Sequence, residues 1–232
     1  MVDKPGRRKK HSLPWGKIAA IAIAAVVIVA AGYYVYETYV YTPPPEYVKV
    51  GTTLGSFYVE LFPSCARQTV SNFVSLVNSG FYNDLVWHRI VPGFVIQSGD
   101  PNSRGGLNST RTNWGEGGSN NTVPLEICGW LHNYAGYVGM ARQGNQTYGL
   151  DTGTSQFYIL LDNQSAQTFS ALDGYYTIFG KVISGMSVVC AIGKVPTYSS
   201  TQQPVNPVYV TNMTTISASA APTPQTVVGC KS

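Results

Sequence analysis

Residues 81–100 read Phe-Tyr-Asn-Asp-Leu-Val-Trp-His-Arg-Ile-Val-Pro-Gly-Phe-Val-Ile-Gln-Ser-Gly-Asp, and this stretch decides how the rest of the chain is understood. Apolar residues between 86 and 97 surround Pro92-Gly93, a pair that favours a turn. One cation, Arg89, and one amide, Gln97, stand among them. Side chains of these types around a Pro-Gly turn make a half-apolar groove with two fixed donors. Taken singly they say little, because a lone Arg beside His88 usually serves a surface ion pair and a lone Gln is usually a polar surface group. The contiguous string carries the information.

Upstream, Gly55-Ser-Phe-Tyr-Val-Glu-Leu61 alternates Phe57, Val59 and Leu61 with more polar neighbours, which predicts a half-buried strand. The period then changes over residues 66–78. Val70, Phe73, Val74 and Val77 fall at i, i+3, i+4 and i+7, with Gly80 just past the end as a C-cap, so this segment is an amphipathic helix. Downstream apolar runs at 136–141, 156–161, 177–183 and 207–216 are separated by loops rich in Gly, Asn and Ser, and residues 186–192 suit a second short helix. Many strands with two helices predict a mainly β domain over residues 46–216, a closed antiparallel barrel with its ends covered. The small, polar residues 217–232 predict a loose tail.

The opening stretch resembles the cyclophilin signature F-H-R-I-x-P-G-F-x-x-Q-x-G-D. Gly139-Met140-Ala141 resembles the family's S-M-A segment, and Thr154-Ser155-Gln156-Phe157-Tyr158 its G-S-Q-F-F strand. Leu172-Asp173-Gly174 with Phe179-Gly180-Lys181-Val182 resembles L-D-G-x-x-x-x-F-G-K-V, and Asn72-Phe73 and Gly80-Phe81-Tyr82 resemble its N-F and G-x-Y positions. The resemblance covers about residues 46–216. It implies an eight-stranded antiparallel barrel capped by two helices, with the active groove on its outer face, and peptidyl-prolyl cis/trans isomerase activity.

An X-Pro amide has a rotation barrier near ~18–20 kcal/mol because nitrogen conjugates with the carbonyl. In the mechanism the resemblance implies, the arginine matching Arg89 donates a hydrogen bond toward the prolyl nitrogen and favours the twisted amide. That is differential transition-state binding, and it needs no nucleophile, metal or cofactor. Gln97 matches the glutamine that hydrogen-bonds substrate backbone, which makes Arg89 and Gln97 the expected catalytic pair. Phe94, Val95, Tyr158 and Leu172 match the recess for the proline ring, while Ala141 and Arg142 line the adjacent rim. Gln156 and Tyr176 complete the expected substrate-binding set.

The chain also departs from the family pattern. The loops 100–126, 141–155 and 158–172 are longer than in compact members. Ala171 stands where many members carry Trp, with Phe169 available to fill the space; Tyr176 replaces a His and Tyr158 a Phe. These changes keep Arg89 and Gln97 but alter the walls. Two alternatives therefore stand beside catalysis: a non-catalytic module that binds proline-containing segments as a chaperone or surface-assembly factor, and a structural surface protein that reuses the barrel.

The N-terminus sets the expected location. Lys4, Arg7, Arg8, Lys9, Lys10 and Lys17 against Asp3 give +5 in residues 1–17, leaving −1 for the rest, so the folded part gives no electrostatic reason to expect nucleic acid as a partner. Residues 18–36, IAAIAIAAVVIVAAGYYVY, would form a helix of roughly 28 Å, close to the ~30 Å of bilayer hydrocarbon. The basic tail predicts a cytoplasmic N-terminus and the clustered tyrosines an interface at the other end, which places the domain outside the cytoplasm. A cleaved signal peptide is the other reading, since small residues Ala30, Ala31 and Gly32 would suit a peptidase; the apolar stretch is longer than the usual signal. Residues 37–45, with Pro43-Pro44-Pro45, form a stiff spacer. The expected partners are the membrane and proline-containing segments of exported proteins.

Cys65, Cys128, Cys190 and Cys230 show neither a C-x-x-C pair nor zinc spacing; three full disulfide pairings or free thiols are open. Sequons at Asn108, Asn120, Asn145, Asn163 and Asn212 support export only weakly. Asp100-Pro-Asn102-Ser-Arg104-Gly105 begins like a calcium loop, but Arg occupies positions five and twelve (Arg104 and Arg111), so the match fails. His88 and His132 read as structural.

Overall fold

The alternating segment pairs with the residues just before it. In the computed structural model, which describes residues 14–35, 46–143, 150–163, 165, 168 and 171–230, β1 (Glu46–Thr52) and β2 (Gly55–Leu61) form an antiparallel hairpin that buries Phe57, Val59 and Leu61. The chain divides into two units, residues 1–42 and 43–232. The first contains helix α1 (Trp15–Val35), solvent-exposed along its length and starting three residues earlier than the apolar stretch expected at 18–36. Residue 36 and the Pro-rich spacer lie outside the described residues.

In the second unit, α2 (Arg67–Asn78) buries Val70, Phe73 and Val77, the stripe that its period defines. Gly80 follows at φ +71°, its N–H bonded to Val77 O at 3.0 Å and that of Phe81 to Leu76 O at 3.0 Å. This is the Schellman arrangement, and the left-handed residue it needs is the predicted glycine. The apolar run at 86–97 is two strands, β3 (Arg89–Val91) and β4 (Val95–Ser98), folded about Pro92-Gly93. β5 (Tyr137–Met140), β6 (Phe157–Leu160), β7 (Ile178–Ser184), α3 (Met186–Gly193) and β8 (Val210–Ile216) complete the order. Phe73 meets Phe157 and Phe179 with ring centroids 5.5 and 5.0 Å apart, and Trp87 meets Phe157 at 5.6 Å, so aromatic rings fill the middle of the core.

The eight strands form one antiparallel sheet in the order β3-β4-β6-β5-β7-β2-β1-β8. The expected closed barrel is corrected here. The sheet curls into a half-barrel whose flanks meet at the isolated bridge Val86↔Tyr209, without a ladder between β3 and β8. β3 is too short to continue the ladder, and its Ile90 N–H donates instead to the backbone oxygen of Gln202 in a loop, at 2.8 Å.

The four cysteines form Cys65–Cys128 and Cys190–Cys230 disulfides, with Cα atoms 5.4 and 5.2 Å apart. The expectation of a loose tail also needs correction. Residues 217–230 return along the domain, where Gln225 N–H donates to Ile183 O at 2.8 Å, Cys230 N–H donates to Leu161 O at 2.7 Å, and Cys230 is bonded to α3.

Candidate active site

The Pro-Gly turn builds the site. Gly93 sits at φ +73° and the Phe94 N–H donates to Val91 O at 2.9 Å, the geometry of a type II turn with Pro at its second position. The resulting register places Arg89 opposite Gln97, and the next ladder places Gln97 opposite Tyr158. Side chains alternate across a sheet, so these three share its outer face while Ile90, Ile96 and Ile159 point into the core. Val95, Tyr158, Leu160 and Leu172 form a second apolar cluster, with Val91, Phe94, Ala141 and Tyr176 packed against it.

The structure brings nine of the ten expected site residues around one cavity of about 310 Å³: Arg89, Phe94, Val95, Gln97, Ala141, Arg142, Tyr158, Leu172 and Tyr176. Gln156 is the exception. It lines a neighbouring cavity of about 270 Å³, which shares Gln97, Ala141 and Arg142 with the first. Its Oε1 accepts from Gln97 Nε2 at 2.8 Å, and its own Nε2 donates to Gly115 O and Gly117 O at 2.9 and 2.7 Å. Gln156 therefore holds Gln97 from behind.

Arg89 is half-buried, and its pKa is lowered chiefly by that burial, with Tyr176 opposing. Its Nε donates to Gln202 Oε1 at 2.8 Å and its Nη1 to Gln97 Oε1 at 3.4 Å. A guanidinium has five N–H donors, so three stay uncommitted among the described residues. Arg142 is fixed differently: its Nε donates to Tyr175 O at 2.6 Å and its guanidinium lies 4.9 Å over the Tyr176 ring. Tyr176 in turn meets Tyr158 edge-on, 5.9 Å between centroids. The two tyrosines that replace the family's usual residues thus form one wall.

Tyr158 carries a hydroxyl that must be accommodated. It donates to Asn133 Oδ1 at 2.8 Å, and burial pushes its pKa up, keeping the phenol protonated. A Cβ on Gly139, its cross-strand partner, would lie 2.2 Å from Tyr158 Cζ, so the glycine standing where the family has Ser makes room for this ring. Asn133 is fully buried and donates through Nδ2 and its backbone N–H to Asp173 Oδ1 at 2.6 and 3.0 Å, while Asp173 Oδ2 lies 2.7 Å from His132 Nδ1. Burial raises the Asp173 pKa, but the bonds from Asn133 and His132 outweigh it and leave the carboxyl below its usual range. His132 and Asp173 brace the turn that carries Leu172. Phe169, the expected substitute for the missing Trp, lies outside the described residues.

Sequence reasoning missed Gln202 and Asn133. Gln202 is 113 residues from Arg89 and sits in a loop with no pattern of its own; no local signal points to it. Asp173 stands in the L-D-G motif, which gives no sign of its bonds to Asn133 and His132. Asp100, the start of the rejected calcium loop, accepts from Asn102 N–H at 2.8 Å and from Gly115 N–H, so its carboxylate ties its own loop together.

Residues 47–215 match the family described as cyclophilin type peptidyl-prolyl cis-trans isomerase/CLD. The chain belongs to the cyclophilin family. It is 40% identical over 159 residues to peptidyl-prolyl cis-trans isomerase-like 1 of Aspergillus fumigatus, covering 68% of this chain and 88% of that one. It is 35% identical over 169 residues to human peptidyl-prolyl cis-trans isomerase-like 3, covering 72% and 94%. The crystal structure of a Cryptosporidium parvum cyclophilin type isomerase superposes with a TM-score of 0.64 at 28% identity, covering 75% of this chain and 99% of the other. A second structure of that cyclophilin, in the presence of the dipeptide Ala-Pro, gives 0.62 at 28% identity. Activity as a cyclophilin-type peptidyl-prolyl cis-trans isomerase follows from the family and these relatives together.

Proposed function

We propose that the cavity of the cyclophilin domain receives the proline ring of X-Pro segments in exported proteins, and that Arg89 drives their isomerisation. The observation that carries this reading is the row Arg89, Gln97 and Tyr158 across three adjacent strands, facing an apolar recess outside the core. Phe94, Val95, Tyr158, Leu172 and Tyr176 exclude water around the ring. Gln97, held by Gln156, orients the substrate backbone, and an uncommitted Arg89 N–H meets the prolyl nitrogen as its lone pair localises. Ala141 and Arg142 form the rim between the two cavities. The test is isomerisation of an Ala-Pro peptide by the full chain in detergent micelles, with and without Arg89→Ala. A folded parent with no measurable rate would refute the reading.

The extracytoplasmic setting is part of the same proposal. α1 is long and apolar enough to cross a bilayer, at roughly 32 Å, and basic residues precede it. The pairing of all four cysteines suits an oxidising compartment.

A further inference from the structure

We propose that Gln202 is a positioning residue for isomerisation, setting the orientation of the Arg89 guanidinium. The inference rests on the assignment of Arg89 as the donor. One residue grips β3 twice: the Gln202 side chain accepts from Arg89 Nε at 2.8 Å, and its backbone oxygen accepts from the next residue, Ile90 N–H, at 2.8 Å. An acceptor at Nε fixes the plane of the guanidinium, leaving Nη1 and Nη2 to carry the remaining donors toward the cavity. Gln97 reaches Nη1 only at 3.4 Å, so among the described residues the shorter of the two side-chain bonds to Arg89 comes from Gln202.

The loop around Gln202 is built to keep it there. Gln202 stands at φ +59°, a conformation uncommon for a side chain-bearing residue, and its N–H donates to Tyr198 O at 2.8 Å. Tyr198 N–H donates to Gln203 O at 2.9 Å, and Thr197 bridges Pro204. From the long 100–126 loop, Arg111 donates to Pro204 O and Val205 O at 2.8 and 3.0 Å and stacks on Trp114 at 4.9 Å; Gln203 Nε2 returns a bond to Arg111 O at 2.8 Å. A loop tied down at this many points, carrying a non-glycine residue in a left-handed conformation whose side chain meets the donor arginine, serves orientation.

The experiment compares Gln202→Ala, Gln202→Gly, Gln202→Glu, Arg89→Ala and Gln202→Ala/Arg89→Ala with the parent, as full chains in detergent micelles with matched circular dichroism. Gln202→Ala should lower kcat about tenfold with KM changed less than twofold. Gln202→Gly suits φ +59° but lacks the acceptor, so it should fall equally; Gln202→Glu keeps an acceptor and should stay within threefold of the parent. The Arg89 Nε–H NMR signal should be protected from solvent exchange in the parent and lost in Gln202→Ala. In the Arg89→Ala background the second change should cost nothing further. Parent-like kcat in both Gln202→Ala and Gln202→Gly, or full additivity in the double variant, overturns the inference. Parent-like activity in Arg89→Ala instead overturns the reading on which it rests.

Discussion

At the scale of single residues, Arg89 and His88 are neighbours with opposite fates. The register turns Arg89 outward, and in the proposed mechanism its charge-assisted hydrogen bond, worth about 1.5 to 3 kcal/mol, goes to the twisted amide alone. Arg89→Ala should therefore slow kcat/KM by roughly 10- to 100-fold with modest change in peptide affinity, and Arg89→Lys should recover only part, lacking the planar fork. A folded Arg89→Ala variant as fast as the parent would rule this out. His88 turns inward and is buried. Burial lowers its pKa from 6.5 to about 4 despite the opposing Asp100 charge, and neither ring nitrogen makes a hydrogen bond of normal geometry to the nearby Gln156 or Val86. The folded state thus refuses a proton that the unfolded chain takes up near 6.5, so the stability tied to His88 is present above that pH and is lost as pH falls toward 4. The loss should reach on the order of 3 kcal/mol. Urea midpoints measured from pH 7.5 to 4, with NMR titration of the imidazole, check it; a His88 midpoint near 6.5 would contradict the cause. Arg89 was legible through the contiguous string that resembles the family signature, and His88 reads as structural, which its burial fits. Gln202 and Asn133 were not legible, because their partners lie far along the chain and a lone amide carries no pattern.

At the scale of elements, the helices were the most legible and the N-terminal cap of α2 the least. The period of α2 and its Gly80 terminus can be read from sequence, yet its N-terminal residue Ala66 makes no side-chain cap. The cap comes from Glu126, 57 and 58 residues away, whose two oxygens accept from Thr69 and Gln68 N–H at 2.8 and 3.0 Å. A carboxylate there satisfies two orphan donors and complements the helix dipole. The Cys65–Cys128 bond, with one cysteine on either side of this contact, holds the loop in reach. Glu126→Ala should destabilise the domain by about 1 to 2 kcal/mol, Glu126→Gln by less, each lowering the urea midpoint without changing the slope. An Ala variant with an unchanged midpoint would show that water caps the helix as well. The closed barrel failed for a related reason. Strand count and alternation can be read locally, whereas closure depends on whether the two end strands are long enough to meet, and β3 spends its outer edge on the Gln202 loop instead.

For the molecule as a whole, polarity of composition misled at the C-terminus and charge asymmetry informs at the N-terminus. Small polar residues from 217 onward carry no apolar period, but Cys230 converts the segment into a strap tied to α3 across 40 residues. Replacing Cys190 and Cys230 together with Ser should cost about 2 to 4 kcal/mol and make the tail accessible to carboxypeptidase in the otherwise folded protein. A tail that resists digestion without the bond would place its anchoring in the Gln225 and Cys230 backbone contacts alone. The same bonds bear on location. Disulfides persist outside the reducing cytoplasm, and positive charge flanking a membrane-spanning helix favours the cytoplasmic side; residues 1–14, ahead of α1, carry a net +4. These are independent physical arguments, one redox and one electrostatic, and both support the proposed placement of residues 46–230 on the far side of the membrane. Protease added to intact cells carrying the full chain should digest the domain while sparing an epitope placed ahead of residue 14. A thiol reagent should label no cysteine before reduction. A domain protected until the membrane is breached, with four reactive thiols, would reverse the topology while leaving the isomerase site untouched, because nothing in the row Arg89, Gln97 and Tyr158 depends on which compartment holds it.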